Sequence, residues 1–142
     1  VKKEHLFRDA LYATDFSSNA ERAFEFFPRL TGATQRASLL HVRGREQRDR
    51  SGGADDARDR LAEMATELRE RMGIDVETNV RTGNVVEEIL AEERRVGATT
   101  TLLGARGTSR LRRLLLGDTA ETVIARSNNN VLLVPPEPVA SR

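Results

Sequence analysis

The sequence predicts an α/β fold, an open sheet of five parallel strands with helices packed on both faces. Along its 142 residues, short and mostly apolar runs alternate with stretches in which apolar residues recur at helical spacing. Strands separated by helices need crossover connections, which make the strands parallel and place helices on both faces of the sheet. Several of the runs are continuously apolar, which agrees with strands that are buried on both faces.

The first strand and the first helix are predicted from the N-terminal part of the chain. Residues 9–14 form a short apolar run that stops at a polar segment. Ser17 or Ser18 can cap a following helix, and Glu21 stands at capping-box distance from Ser18. We expect this helix to extend to about residue 30, where Gly32 ends it. Its apolar stripe consists of Ala20, Ala23, Phe24, Phe27 and Leu30.

The middle of the chain predicts a strand, a loop, a helix and a second strand. Residues 37–42 form the second apolar run, and the polar, glycine-bearing residues 44–56 predict a flexible loop. A helix over residues 56–72 closes at Gly73, and the alternating residues 74–80 are typical of an edge strand. The apolar stripe of this second helix consists of Leu61, Met64, Ala65, Leu68 and Met72.

Two more helices and two more strands follow. Residues 84–97 predict a third helix and residues 99–104 a buried strand. A fourth helix is expected over residues 118–127, and a last strand over residues 131–134 stops at Pro135. The inward face of the third helix is expected to carry Val85, Val86, Ile89 and Leu90.

Composition limits the class of protein. Charged residues make up 32% of the chain and aromatic residues 4%, so the core must consist mainly of aliphatic side chains. The formal net charge is +1, which gives no bulk attraction to nucleic acid or to a membrane surface. The chain has no cysteine and only two histidines, which excludes disulfides and disfavours a zinc site. We therefore expect one soluble, cytoplasmic domain spanning residues 1–142.

The predicted topology indicates where a ligand would bind. In open parallel sheets, ligands bind beyond the carboxyl ends of the strands, where the strand order reverses. The residues that follow the predicted strands include Asp15, Ser17, Val42 and Gly83. The fourth strand leads into "GARGTSRLRRLLLGDTAET", residues 104–122, which contains three glycines and four arginines.

Three segments of the chain resemble the universal stress protein family. They are "YATDFSSNAERAFEF", "LLHV" and "LLGARGTSRLRRLLLGDTAETVIARSNNNVLLV", and the resemblance covers nearly the whole chain. In the nucleotide-binding branch of the family, a glycine is followed by two residues, a glycine, nine residues, and a glycine that precedes serine or threonine. Gly104, Gly107 and Gly117 have this spacing.

The resemblance implies a Rossmann-like fold with strand order 3-2-1-4-5 and binding of ATP or another adenine nucleotide without a Walker A loop. It also implies homodimers that pair their last strands, here through Val131, Leu132, Leu133 and Val134. The nucleotide positions that it carries over are Ala13, Asp15, Val42, Leu103, Gly104, Gly107, Gly117, Asp118 and Thr119.

Each of these positions has an implied role. Asp15 would face the adenosine, Val42 would contact the adenine, and Leu103 with Gly104 would close on the ribose. Ala13 stands beside Asp15, where family members often have proline or another small residue. The second and third glycines would let the backbone approach the phosphates, since they lack a Cβ, and Thr119 would offer a further amide. The start of the fourth helix would add unpaired N–H groups and the positive end of its dipole.

Asp118 departs from the motif, which has serine or threonine after the third glycine. A purely structural interpretation is that Asp118 is the N-cap of the helix, with Glu121 completing a capping box. An ionised aspartate only accepts hydrogen bonds, so it cannot donate to a phosphate. At about 4 Å, its repulsion of one phosphate charge costs roughly 1 kcal/mol in water and about 4 kcal/mol at an effective dielectric near 20. The nearby arginines Arg106, Arg110, Arg112 and Arg113, or a bridging Mg²⁺, could offset this repulsion.

Two classes of function follow from these observations. The intact glycines favour a nucleotide-binding stress or signalling protein with slow hydrolysis at most, since no Walker-type lysine is present. Asp118 favours a dimeric stress protein that binds no nucleotide and acts through protein contacts. A catalytic triad of Ser17, His41 and Asp15 lacks the supporting G-x-S-x-G pattern. Residues 50–56 superficially resemble the pyrophosphate loop of nucleotidyl-transfer enzymes. Such a loop should follow the first strand, whereas these residues follow the second.

Overall fold

Five parallel strands form the sheet, in the order β3-β2-β1-β4-β5, which confirms the predicted order. A computed structural model describes residues 5–44, 53–104, 107–108, 113–114 and 118–135 of the chain. The strands are β1 (Asp9–Ala13), β2 (Arg36–Arg43), β3 (Asp75–Thr82), β4 (Thr100–Gly104) and β5 (Asn130–Val134). The helices are α1 (Ser18–Phe26), α2 (Gly53–Met72), α3 (Val85–Val96) and α4 (Asp118–Arg126).

The start and end of α1 differ from the prediction. Ser17 is the N-cap, since its hydroxyl accepts a hydrogen bond from the Ala20 amide at 3.2 Å, and the box between Ser18 and Glu21 is not formed. The α-helix ends at Phe26 and a 3₁₀ turn covers Phe27–Leu30. Pro28 explains the change, because proline has no N–H and its ring clashes with a carbonyl one turn back. The predicted apolar stripe is nevertheless buried as a whole.

Helix α2 starts earlier than the sequence predicts. Helix α2 begins at Gly53 rather than at residue 56, and most of the predicted loop, residues 45–52, lies outside the described residues.

Strand β3 pairs with β2 and, within the described part of the chain, with no other strand, as an edge strand should. In that same part, no helix has the length and apolar character to cross a membrane.

Each face of the sheet has its own core, because successive strand residues point to opposite faces. Tyr12 packs with Phe24 and Phe27 beneath α1 and α2, with ring centroids 5.7 and 5.9 Å away. Leu11 packs on the other face, against α3 and α4. The Tyr12 hydroxyl donates a 2.5 Å hydrogen bond to the Ala20 carbonyl, and burial raises the pKa of Tyr12. This hydrogen bond ties β1 to the first turn of α1.

Helix α3 is capped at both ends and carries two buried carboxylates that the sequence did not predict. Asn84 accepts a hydrogen bond from the Glu87 amide at 3.0 Å, and Gly97 ends the helix with a left-handed φ of 66°. Glu92 and Glu93 are 0% and 7% exposed. Apolar periodicity could not have predicted their burial, since each depends on partners from distant elements.

The two carboxylates organise different parts of the fold. Glu93 accepts hydrogen bonds from the hydroxyls of Thr101 (2.7 Å) and Ser127 (2.9 Å), which join α3, β4 and the turn before β5. Asn129 in that turn also donates to the Ala98 carbonyl at 3.1 Å. The turn before β5 is therefore part of a partly buried hydrogen-bond network.

Glu92 is the centre of an ion-pair network between α3 and β3. Arg81 approaches it at 3.0 Å and Arg95 at 2.7 Å, while the Asn79 amide donates at 3.3 Å. Desolvation pushes the pKa of Glu92 up, but hydrogen bonds from Arg95 and Asn79 and the charges of both arginines outweigh it and lower the pKa. Because the folded-state pKa is the lower one, ionised Glu92 stabilises the fold above the unfolded-state pKa.

We expect Glu92→Gln to lower the free energy of unfolding by about 1–3 kcal/mol at pH 7, the cost of losing charge-assisted hydrogen bonds. We expect no larger loss, because the side chains of Arg81 and Arg95 remain 29% and 46% exposed and solvent screens their ion pairs with Glu92. As the pH falls below the ordinary glutamate value of 4.5, the native protein should lose this contribution and the difference should shrink.

Urea denaturation at pH 7 and at acidic pH measures both effects. Glu67→Gln is the matched control, since Glu67 forms an exposed ion pair with Arg71 on α2. It should change stability by less than about 0.5 kcal/mol. A Glu92→Gln protein as stable as this control would contradict the prediction.

Candidate nucleotide-binding site

A cavity of about 470 Å³ opens where the carboxyl ends of β1, β2 and β4 meet the N-terminal ends of α1, α3 and α4. This is the position expected from the topology, because β1 and β4 are neighbours at the point where the strand order reverses. The predicted ligand residues that line it are Ala13, Asp15, Val42, Leu103, Gly104, Asp118 and Thr119.

The cavity also has lining residues that the sequence did not indicate as ligand contacts. Val85 and Ile89 come from the first turns of α3, and Asn19 and Ala20 come from the first turn of α1. Apolar spacing places Val85 and Ile89 on the inward face of α3. Only the tertiary structure shows that the start of this face borders a cavity rather than closed core.

The loop between β1 and α1 holds Asp15 in place with two local hydrogen bonds. The Ser17 amide donates to the Asp15 carboxylate at 2.9 Å, and the Phe16 amide donates to the Thr14 hydroxyl at 2.8 Å. Asp15 itself is exposed to solvent. Its free oxygen positions therefore remain open to a ligand at the cavity.

The fold requires glycine at position 104, for a reason that the sequence could not reveal. A Cβ added at this position would lie 2.2 Å from the Asn19 carbonyl oxygen and 2.9 Å from the Ala20 nitrogen, both backbone atoms. Any side chain would force β4 and α1 apart. The glycine is thus required for helix packing, while the ribose contact implied by the family resemblance stays a prediction.

Asp118 lies at the start of α4, and its carboxylate does not cap the helix within the described residues. Asp118 is the first helical residue and is exposed, and outside the backbone ladder of α4 the one described hydrogen bond at it runs from the Thr122 hydroxyl to its backbone carbonyl, at 2.8 Å. The predicted capping box with Glu121 is therefore not formed there. The carboxylate remains available at the wall of the cavity.

The rest of the glycine motif is described only in part. Gly107 belongs to a short antiparallel ribbon, in which Gly107–Thr108 pairs with Arg113–Leu114. The sequence did not predict this ribbon. Gly117, Arg106, Arg110 and Arg112 lie outside the described residues. Their expected approach to a phosphate stays a prediction.

The described wall of the cavity is acidic. Among its described lining residues, Asp15 and Asp118 are ionisable and no lysine, arginine or histidine is present. No cluster of three or more potential metal-binding His, Cys, Asp or Glu side chains occurs in the part of the chain that the structure describes.

In open parallel sheets, ligands bind beyond the carboxyl ends of the strands at the switch point. A five-stranded sheet in the order 3-2-1-4-5, with a cavity at that point, places the chain in this class of α/β folds. The profile of the Universal stress protein family matches residues 6–135, and the chain belongs to this family. One relative is universal stress protein MJ0577 of Methanocaldococcus jannaschii, 27% identical over 91% of this chain and 95% of the relative.

Solved structures agree with the family assignment. The structure of MJ0577 has a TM-score of 0.82 and 26% identity, with coverage of 94% of this chain and 99% of that one. An Arabidopsis thaliana family member with AMP bound has a TM-score of 0.65 and 20% identity, over 92% of both chains. A universal stress protein in complex with cAMP has a TM-score of 0.67 and 16% identity, over 92% of this chain and 98% of that one. The last two similarities establish a shared fold.

We expect Gly104→Ala to lower the free energy of unfolding by about 1–3 kcal/mol, because the added methyl group overpacks a backbone contact. Urea denaturation followed by circular dichroism measures the change. Gly97→Asn serves as the control, since Gly97 has open space around it and asparagine tolerates its left-handed conformation. A Gly104→Ala protein no less stable than the control would show that α1 can move away without cost.

Proposed function

We propose that this universal stress protein binds an adenine nucleotide in the cavity between β1 and β4. The observation that carries the proposal is that most of the positions matching the nucleotide-binding branch line one cavity at the switch point. Relatives of the same fold have been solved with AMP and with cAMP, which supports an adenine nucleotide as the ligand class.

The walls of the cavity fit the two halves of a nucleotide differently. Ala13, Val42, Val85, Ile89 and Leu103 provide an apolar region that suits an adenine ring. The polar and charged lining residues lie on the β1–α1 connection, in the first turn of α1 and at the start of α4. Drug-sized and cofactor ligands bind in cavities of roughly 300–1,000 Å³, a range that includes this one.

The phosphate end is where this chain differs from the family motif. The first amides of α4 and the helix dipole favour an anion. The Asp118 carboxylate opposes them, because it lies at the same helix end and is unpaired among the described residues. The adenosine half of the site is then retained and the phosphate half weakened, so AMP and ADP bind better than metal-free ATP.

Calorimetric titration of nucleotide-stripped protein with ATP, ADP and AMP, each with and without Mg²⁺, tests this proposal. We expect AMP to bind without metal, and ATP to bind at least about fivefold more tightly when Mg²⁺ is present, the low end of the screened repulsion of one phosphate charge. Asp118→Ser should remove most of the dependence on Mg²⁺, since its hydroxyl can donate to a phosphate.

Asp75→Ser is the matched control, because Asp75 is an exposed aspartate at the opposite end of the sheet. It should leave all titrations unchanged. If the parent protein binds none of the nucleotides, the proposal is wrong. If it binds metal-free ATP as tightly as the Asp118→Ser variant does, the role given to Asp118 is wrong.

We also propose that the chain forms a homodimer through β5, which is the alternative route to function if nucleotide does not bind. Within the described residues β5 pairs only with β4, and its Val131, Leu132 and Leu133 are only partly buried. An edge strand with apolar side chains is a template for pairing with another chain. Such a dimer would present a protein-binding surface whether or not the cavity is filled.

Sedimentation equilibrium should give twice the mass of the chain. Val131→Lys should weaken the dimer by about tenfold or more, a cost of about 1.4 kcal/mol or more, because each copy would bring a charged side chain to the apolar edge strand that pairs. Thr78→Lys, an exposed change on the β3 edge, should leave the mass unchanged. A single-chain mass for the parent protein would rule out the dimer.

A further inference from the structure

Phe16, between Asp15 and the N-cap of α1, has a backbone conformation that a bulky residue rarely adopts. Its φ is 64°, and among the described residues it is the only non-glycine residue with a positive φ. A phenylalanine persists in this conformation only when its surroundings hold it there. The strain therefore points to contacts that fix this loop.

The contacts come from two other elements. The Phe16 ring stacks on the His41 ring of β2, with a centroid distance of 4.5 Å and an interplanar angle of 29°. The Arg60 guanidinium of α2 lies 4.1 Å from the centroid of the same ring. His41 also hydrogen-bonds to the loop, since its Nδ1 is 2.8 Å from the Thr14 carbonyl oxygen.

These residues lie beside the candidate site and outside its wall. Phe16, His41 and Arg60 do not line the cavity, whereas Thr14, Asp15 and Ser17 do. Within the described residues, no ion pair of Arg60 accompanies its contact with the Phe16 ring. The ring is thus held from outside while its chain neighbours present their polar groups to the cavity.

We infer that Phe16, His41 and Arg60 form a latch, whose function is to position Asp15 and Ser17 for the ligand. The inference rests on the nucleotide site proposed above. Arg60 and His41 act as positioning residues, because they affect the ligand only through the conformation of the β1–α1 loop. The latch also makes α2 part of the support of the site, although α2 contributes no residue to the described wall.

Two measurements on the full chain test the latch. NMR hydrogen exchange on the ligand-free protein reports the opening of the loop at the Phe16 and Ser17 amides, and calorimetry reports the affinity for AMP. We expect Arg60→Gln to increase both amide exchange rates by about two- to fivefold and to weaken AMP binding by a similar factor, the value of one partly exposed cation–π contact. Arg60→Lys, which retains the cation, should have amide exchange rates and an AMP affinity close to those of the parent protein.

Arg29→Gln is the matched control. Arg29 lies 5.6 Å from the centroid of the Phe26 ring, at the far end of α1, so the variant loses a similar contact away from the cavity. It should change neither measurement. Phe16→Gly should open the loop more than Arg60→Gln does while the protein stays folded, because glycine accepts the left-handed conformation without strain.

The outcomes separate the latch from the nucleotide site. Equal exchange at Phe16 and Ser17 in Arg60→Gln and Arg29→Gln would overturn the latch, whatever the affinities. Faster exchange in Arg60→Gln with unchanged AMP affinity would overturn its positioning role. If the parent protein binds no AMP, the proposed function and the positioning role both fail, and the exchange rates still decide whether the contacts hold the loop.

Discussion

The close approach of β4 to the first turn of α1 is the contact on which the rest of the site depends. Gly104 lets the two backbones approach to a distance that no side chain would permit. The hydrogen bond from Tyr12 to the Ala20 carbonyl fixes the same turn against β1. Since β1 and β4 both hold the start of α1, the end of the loop before it is fixed beside the cavity.

The cavity lies where the family motif predicts a ligand, but it carries the Asp118 carboxylate where that motif has serine or threonine. In a relative with serine at the position of Asp118, the start of α4 would offer only donors to an anion. Here a carboxylate that caps no described amide lies at that helix end. The substitution therefore has its clearest physical consequence in the electrostatics of the site.

The sequence predicted the five strands of the parallel sheet and the four helices because both signals were local. Apolar periodicity identified the helices, and short apolar runs identified the strands. The buried Glu92 and Glu93 could not be predicted in this way, since their partners come from other elements. The site positions came from the family motif, and the sequence contained no signal for the contact between Phe16 and Arg60, which are 44 positions apart. The predicted end of the first helix, at about residue 30, was wrong for a local reason, since Pro28 converts the end of this segment into a 3₁₀ turn.

The two outer edges of the sheet differ in chemistry, and this difference limits how large an assembly can grow. The β3 edge carries Asp75, Glu77 and Arg81, whereas β5 carries an aliphatic run after Asn130. Charged residues on an edge strand discourage the addition of another strand. Pairing of two β5 edges would consume the only apolar edge of each described sheet and leave a charged edge at both ends. Growth would then stop at a continuous sheet of two copies, without the open-ended stacking that leads to fibres.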